Sequence, residues 1–231
     1  MTKTLKKGLF ITVEGSEGSG KSTQSKMLSD FLKNKGFKVV NFRDPGATKL
    51  GEDVRNILLK PGEKLAATSE TLLYMAARAQ LVYEKILPAL KKRKIVICDR
   101  FTDATVCYQG YGLGVDIKLI EALNKFVTNS TIPALTLFLD LNIKKGLKRS
   151  HNVKGYSDRI EQRSNSFHKK VREGYIAQAK RFPKRIKRII VDGNSKERTQ
   201  EIIRALVLEC ISKKEKLKSK RLKGAQSTVA L

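Results

Sequence analysis

A chain of 231 residues has room for one α/β domain with a lid and a tail, and its 40% hydrophobic residues are enough to fill a core. No run approaches the roughly 18 apolar residues of a membrane span, and Leu9–Val13 is too short for the apolar region of a signal peptide. The formal charge of +26 attracts polyanions, but it is spread along the chain, aromatic residues are only 6%, and no RNA-binding signature is visible. Nucleic acid is therefore expected only as a weak contact of the basic C-terminal tail. Cys98, Cys107 and Cys210 are odd in number and lack C-x-x-C spacing, which suggests neither a disulfide framework nor a zinc site; the expected location is the cytoplasm.

The apolar run Leu9–Val13 leads into Gly15-Ser16-Glu17-Gly18-Ser19-Gly20-Lys21-Ser22, which fits G-x-x-x-x-G-K-[ST]. The motif needs a strand before it and a helix after it. The helix is legible in Met27, Leu28, Phe31 and Leu32, which recur at helical spacing. Glycines at 15, 18 and 20 let the chain curl so that consecutive N–H groups converge on phosphate oxygens, and the helix start adds its positive end. Lys21 is expected to reach the β- and γ-phosphates of a nucleoside triphosphate, and the Ser22 hydroxyl to ligate Mg²⁺.

Four further apolar runs, Phe37–Phe42, Ile95–Cys98, Leu135–Leu139 and Ile189–Val191, alternate with helical patterns. Near-continuous apolar strands between helices predict a five-stranded parallel sheet covered on both faces, with ligands beyond the carboxyl ends of its strands. After the second strand, Arg43-Asp44-Pro45-Gly46-Ala47-Thr48 holds a turn pair and a helix cap in Thr48, with Arg43 placed as a phosphate-facing cation. A long helix over Ala67–Leu90, broken near Pro88, carries Arg78 among small apolar residues, and a buried charge needs a partner, of which an anionic ligand is one candidate. Tyr74 lies one turn earlier on the same face. Asp99, closing the third strand, resembles a Walker B carboxylate that holds Mg²⁺, with Arg100 beside it. Gln109 stands in a glycine-rich loop, where its two-faced amide suits a base edge. The basic segment around Arg149, Lys154, Arg159 and Arg163 predicts a lid over about 142–165, folding over a triphosphate; an ordinary solvated helix reads the same way. Ile202–Leu208 predicts a last amphipathic helix, and residues 212–231 a basic, disordered tail beyond a single domain of 1–211.

Taken in order and spacing, Val13-Glu14-Gly15 through Thr23, Arg43-Asp44-Pro45-Gly46, Ala76-Ala77-Arg78, Asp99-Arg100, Tyr108-Gln109-Gly110 and Asp158-Arg159-Ile160-Glu161 resemble the thymidylate kinase family, in its bacterial form, from about Leu9 to Val191. The resemblance implies a P-loop nucleoside-monophosphate-kinase fold, transfer of the ATP γ-phosphoryl group to dTMP in dTTP synthesis, and a homodimer. It further implies that residues 15 to 23 bind ATP and that Glu14 contacts the sugar 3′-hydroxyl of dTMP. Arg43, Arg78 and Arg100 would hold the 5′-phosphate, Tyr74 would stack on thymine, Gln109 would assist base recognition, and Asp99 would organise Mg²⁺. Lys21, Asp99, Arg100, Arg149 and Arg159 are the implied catalytic set. Tyr74 replaces the usual phenylalanine, Asp44 and Ala47 the more frequent glutamate and glycine, and the phosphate loop carries no arginine, leaving the lid to supply the cation. Rival readings are a kinase for another monophosphate or a deoxynucleoside, a GTPase, and a nucleic-acid-stimulated ATPase. The GTPase lacks its N-K-x-D and D-x-x-G motifs here.

Overall fold

The computed structural model describes residues 3–227; at 153, 154 and 216–227 it describes the backbone alone. Five strands form one parallel sheet: β1 (Leu9–Glu14), β2 (Val39–Arg43), β3 (Ile95–Asp99), β4 (Leu135–Asp140) and β5 (Ile186–Ile190), in the order β2-β3-β1-β4-β5. The central strand β1 pairs Val13 with Asp99 of β3 and Glu14 with Phe138 of β4. The phosphate loop and the end of β3 therefore emerge side by side at the carboxyl edge, where parallel α/β sheets bind ligands.

Alternation along the strands divides the core. Leu9, Ile11 and Val13 pack with Leu28 and Leu32 of α1 (Lys21–Asn34) and with Ile203 and Val207 of α9 (Lys196–Ser227). Phe10, Val96 and Cys98 face the other way, onto Leu81, Val82, Ile86 and Phe101. Both faces are covered, as the continuous apolar strands require.

The remaining helices are α2 (Lys49–Leu59), α3 (Ala67–Leu81), α4 (Leu87–Lys91), α5 (Thr102–Thr105), α6 (Ile117–Val127), α7 (Ile143–Lys154) and α8 (Asn165–Arg181). Thr48 caps α2 as its sequence predicts, accepting from Gly51 N at 2.9 Å. The break expected near Pro88 is instead a wide π-helical turn over Val82–Ile86, one turn earlier. Proline has no N–H and crowds the carbonyl four residues back, so the irregularity falls ahead of it. β5 starts three residues before the predicted Ile189, because Lys187 and Arg188 interrupt its apolar run without leaving the sheet. The last helix is also longer than predicted. The expected change at Ser212 is no break, since α9 runs on to Ser227 through lysine, glutamate and leucine, all good helix formers. No helix among the described residues is long and apolar enough to cross a membrane.

Candidate active site

A cavity of about 840 Å³ opens at the carboxyl edge of the sheet. Its floor is the phosphate loop, Glu17 through Gln24. Gly15, Gly18 and Gly20 have φ of 144°, 64° and 90°, values that side chains resist, and a Cβ on Gly15 would lie 2.5 Å from Leu139 O. Helix α1 begins at Gly20 with no side-chain cap and no acidic residue in its first turn, whereas Thr48, Asp116, Asn142 and Ser164 cap their helices. Its first N–H groups are thus left for an anion. Lys21 Nζ rests on Ser16 O at 2.8 Å. Burial, then the positive charge of Arg100, pulls the Lys21 ammonium down to about 8. A cation held so uncomfortably favours an incoming polyanion.

Ser22 Oγ donates to Asp99 Oδ2 at 2.6 Å, so the hydroxyl and carboxylate expected at a magnesium ion are neighbours on the cavity wall. Two hard oxygen donors beside a phosphate cradle are the donor set that Mg²⁺ takes, with water and phosphate completing it. Arg100 follows at φ 68°, a left-handed conformation rare outside glycine, and its N–H donates to Val13 O at 3.0 Å. The guanidinium lies 4.7 Å over the Tyr108 ring and donates to Glu17 Oε1 at 2.9 Å.

Arg43 and Arg55 line the same cavity. Arg43 is half exposed and pairs with Glu52 at 3.0 Å. Arg55 donates to Pro45 O at 3.3 Å, and burial together with neighbouring Arg43 holds its guanidinium below the usual range. Three arginines beside a phosphate loop form a site short of negative charge.

Sequence reasoning placed two residues in the site that the fold puts elsewhere, Glu14 and Arg159, and a third, Arg78, that reaches the wall with partners already in place. Glu14 is fully buried beneath the cavity floor; one oxygen accepts from Phe101 N at 2.7 Å and the other from Tyr175 Oη at 2.8 Å. Glu17, not Glu14, is the carboxylate on the cavity wall, accepting also from Tyr108 Oη at 2.7 Å and facing His168 Nδ1 at 3.6 Å. Arg78 lines the cavity but is 1% exposed and is already paired, with Asp44 at 2.6 Å, Asn124 Oδ1 at 2.7 Å and Phe101 O at 3.2 Å. Asp44 is a partner that its burial requires. Arg159 is a strut rather than a lid cation. It is buried, absent from the cavity wall, and bonded to Leu58 O at 2.7 Å.

Tyr74 and Gln109 meet the cavity from α3 and from the wide turn Val106–Gly112. The Tyr74 ring packs beside Val54, Leu58 and Ala77, an apolar wall for a flat base, and burial raises its phenol above the usual range. On the lid side, Arg149, Ser150 and Asn152 of α7 reach the cavity, with Asp158, Ile160 and Glu161 from the loop beyond. The foot of α7 sits directly on the phosphate loop: a Cβ on Gly146 would meet Glu17 O at 2.4 Å, and one on Gly18 would meet Gly146 O at 2.0 Å.

The family model described as thymidylate kinase matches residues 13–203. The chain belongs to the thymidylate kinase family. It is 45% identical over 206 residues to the thymidylate kinase of Kosmotoga olearia, covering 89% of this chain and 98% of that one. It is likewise 45% identical to the thymidylate kinase of Thermoanaerobacter sp. (strain X514), over 81% of this chain and 90% of that one. The crystal structure of the thymidylate kinase from Ehrlichia chaffeensis superimposes with a TM-score of 0.70 at 36% identity, over 87% of this chain and 99% of that one. Within this thymidylate kinase fold, two features of the site escaped sequence reasoning. Arg55 hides in an ordinary helical pattern, with only its position one turn beyond Gly51 to signal it. Val191, Asn194, Ser195, Lys196 and Thr199 form a further wall, signalled only by following a strand's carboxyl end.

Proposed function

We propose that the chain transfers the γ-phosphoryl group of ATP to dTMP, giving dTDP, in this cavity. The observation that carries the proposal is the gathering of Arg43, Arg55 and Arg100 in one cavity with the phosphate loop and Lys21. A phosphoryl transfer between two nucleotides needs two anion sites facing one another, and this arrangement supplies both.

The loop N–H groups and Lys21 bind the triphosphate, and Arg149 closes on it from α7. Arg43, Arg55 and Arg100 hold the acceptor phosphate, Glu17 faces the sugar, and Tyr74 and Gln109 take the base. Mg²⁺ held by Ser22 and Asp99 supplies charge neutralisation on the phosphates. The acceptor, a phosphate monoester with a second pKa of about 6, is largely ionised at neutral pH, so no strong base is required. The chain's task is to align two mutually repelling anions and to spread cations around the transferring group.

Leu72 of α3, Tyr83 of the wide turn after it, and Leu119 and Phe126 of α6 are exposed, and Leu119 and Phe126 lie two turns apart on one face. A second copy of the chain covers this surface in the proposed homodimer, which light scattering would show as twice the 25.9 kDa protomer.

The test is an acceptor panel of dTMP, dUMP, dCMP, dGMP, AMP and thymidine with Mg-ATP. The highest kcat/KM with dTMP is expected. Equal rates on a purine monophosphate would assign the cavity to another nucleotide kinase.

A further inference from the structure

Glu70 is fully buried in the first turn of α3 and lies outside the cavity wall, yet three side chains converge on it. Gln109 Nε2 donates to its Oε1 at 2.9 Å, Arg163 Nη2 donates to its Oε2 at 2.5 Å, and Arg159 Nη2 pairs with the same Oε2 at 2.7 Å. Arg163 is in turn seated 4.6 Å over the Phe167 ring. The carboxylate thus joins the far end of the lid to the amide in the wide turn.

We propose that Glu70 is the positioning residue that fixes which end of the Gln109 amide faces the acceptor base. It thereby selects bases that carry an N–H at ring position 3. This rests on the reading above that Gln109 meets the base.

A carboxylate between two guanidinium groups accepts hydrogen bonds and donates none, so it must face the amide's NH₂. The carbonyl oxygen then points the other way. Among the described residues no group donates to Gln109 Oε1, and Gln109 lines the cavity. The site therefore presents a fixed acceptor. Thymine and uracil offer N3–H to it, whereas cytosine offers an N3 lone pair, leaving two acceptors opposed and unpaired. A free glutamine side chain could turn its NH₂ toward cytosine; Glu70 removes that choice, and the ion pairs with Arg159 and Arg163 hold Glu70 itself in place.

The experiment compares kcat/KM for dTMP, dUMP and dCMP in the wild type, Glu70→Gln, Gln109→Ala and the double variant. The preference for dTMP over dCMP is expected to fall about tenfold in each single variant and no further in the double, because both act through one amide. The dTMP-to-dUMP ratio should stay unchanged in Glu70→Gln, since both bases carry N3–H; a general loosening of the pocket would move it. An unchanged dTMP-to-dCMP ratio in Glu70→Gln beside a lowered one in Gln109→Ala overturns the proposal, as do effects that multiply in the double variant. No change in Gln109→Ala would instead show that Gln109 does not meet the base, and the inference falls with that reading. If Glu70→Gln does not fold, Glu70→Asp is read in the same way: it keeps a charge for both arginines but withdraws from the amide.

Discussion

Ser22 Oγ donates to Asp99 Oδ2 at 2.6 Å, joining the start of α1 to the carboxyl end of β3 across the cavity floor. The two donors come from elements that β1 and β3 bring side by side, so the sheet register itself assembles them. Asp99→Asn keeps an oxygen for Ser22 but loses the charge that a divalent cation needs. A fall in kcat of about 10²–10³-fold is expected with the circular dichroism spectrum unchanged. Titrating Mg²⁺ at saturating ATP checks it; full activity at the same magnesium concentration would remove Asp99 from the metal site.

Lys21 is buried at a cost to the fold. Its ammonium sits at about 8, lowered first by burial and then by Arg100, against 10.5 when unfolded. Between pH 8 and 10.5 the unfolded chain binds more protons, so this residue's contribution makes stability rise with pH across that window. Lys21→Met should therefore melt several degrees above the wild type at pH 7, with the gap narrowing as the pH approaches 10.5. Activity should fall by 10³-fold or more. Thermal melts at pH 7 and 10 decide it, and a less stable variant at pH 7 would contradict this reading.

Glu14 works in the opposite direction. Burial, with the charge of Asp103 adding to it, raises its carboxyl to about 8 from 4.5. The folded chain keeps a proton that the unfolded chain releases, so this contribution is full below pH 4.5 and is lost as pH climbs to 8. Glu14→Gln removes the titration while leaving an acceptor for Phe101 N. Its melting temperature relative to the wild type should rise between pH 5 and pH 8; parallel curves would show that Glu14 does not titrate there.

The close approach of α7 to the phosphate loop carries its own consequence. A Cβ on Gly146 would lie 2.4 Å from Glu17 O, so Gly146→Ala must push the lid helix off the loop. Strain of this kind costs about 1–3 kcal/mol. KM for ATP is expected to rise about tenfold while KM for dTMP changes less. Equal and unchanged constants would mean that the lid's foot shifts without disturbing the triphosphate site.

What sequence could reveal followed local pattern. The glycines at 15, 18 and 20, the apolar strands and the Thr48 cap are fixed by backbone conformation and hydrophobic period, and the fold places them as read. Pairing across the fold was not legible. Arg78 satisfies Asp44 from 34 residues away, and Arg159 reaches Glu70 of α3 and Leu58 of α2. A basic residue in a motif looks the same whether it faces a phosphate or a buried carboxylate. Glu14 and Glu17 differ in sequence by one turn of a loop. Between them the chain turns through Gly15, whose φ is 144°.

The most direct test of the whole account is formation of dTDP from Mg-ATP and dTMP, followed by product separation, in the wild type and in Lys21→Ala and Arg55→Ala. The account predicts stoichiometric dTDP and ADP with the wild type and almost none with Lys21→Ala. Arg55→Ala should retain turnover only at raised dTMP, with KM for dTMP increased about tenfold or more and KM for ATP little altered. ADP release without dTDP, or an Arg55→Ala enzyme indistinguishable from the wild type, would contradict it.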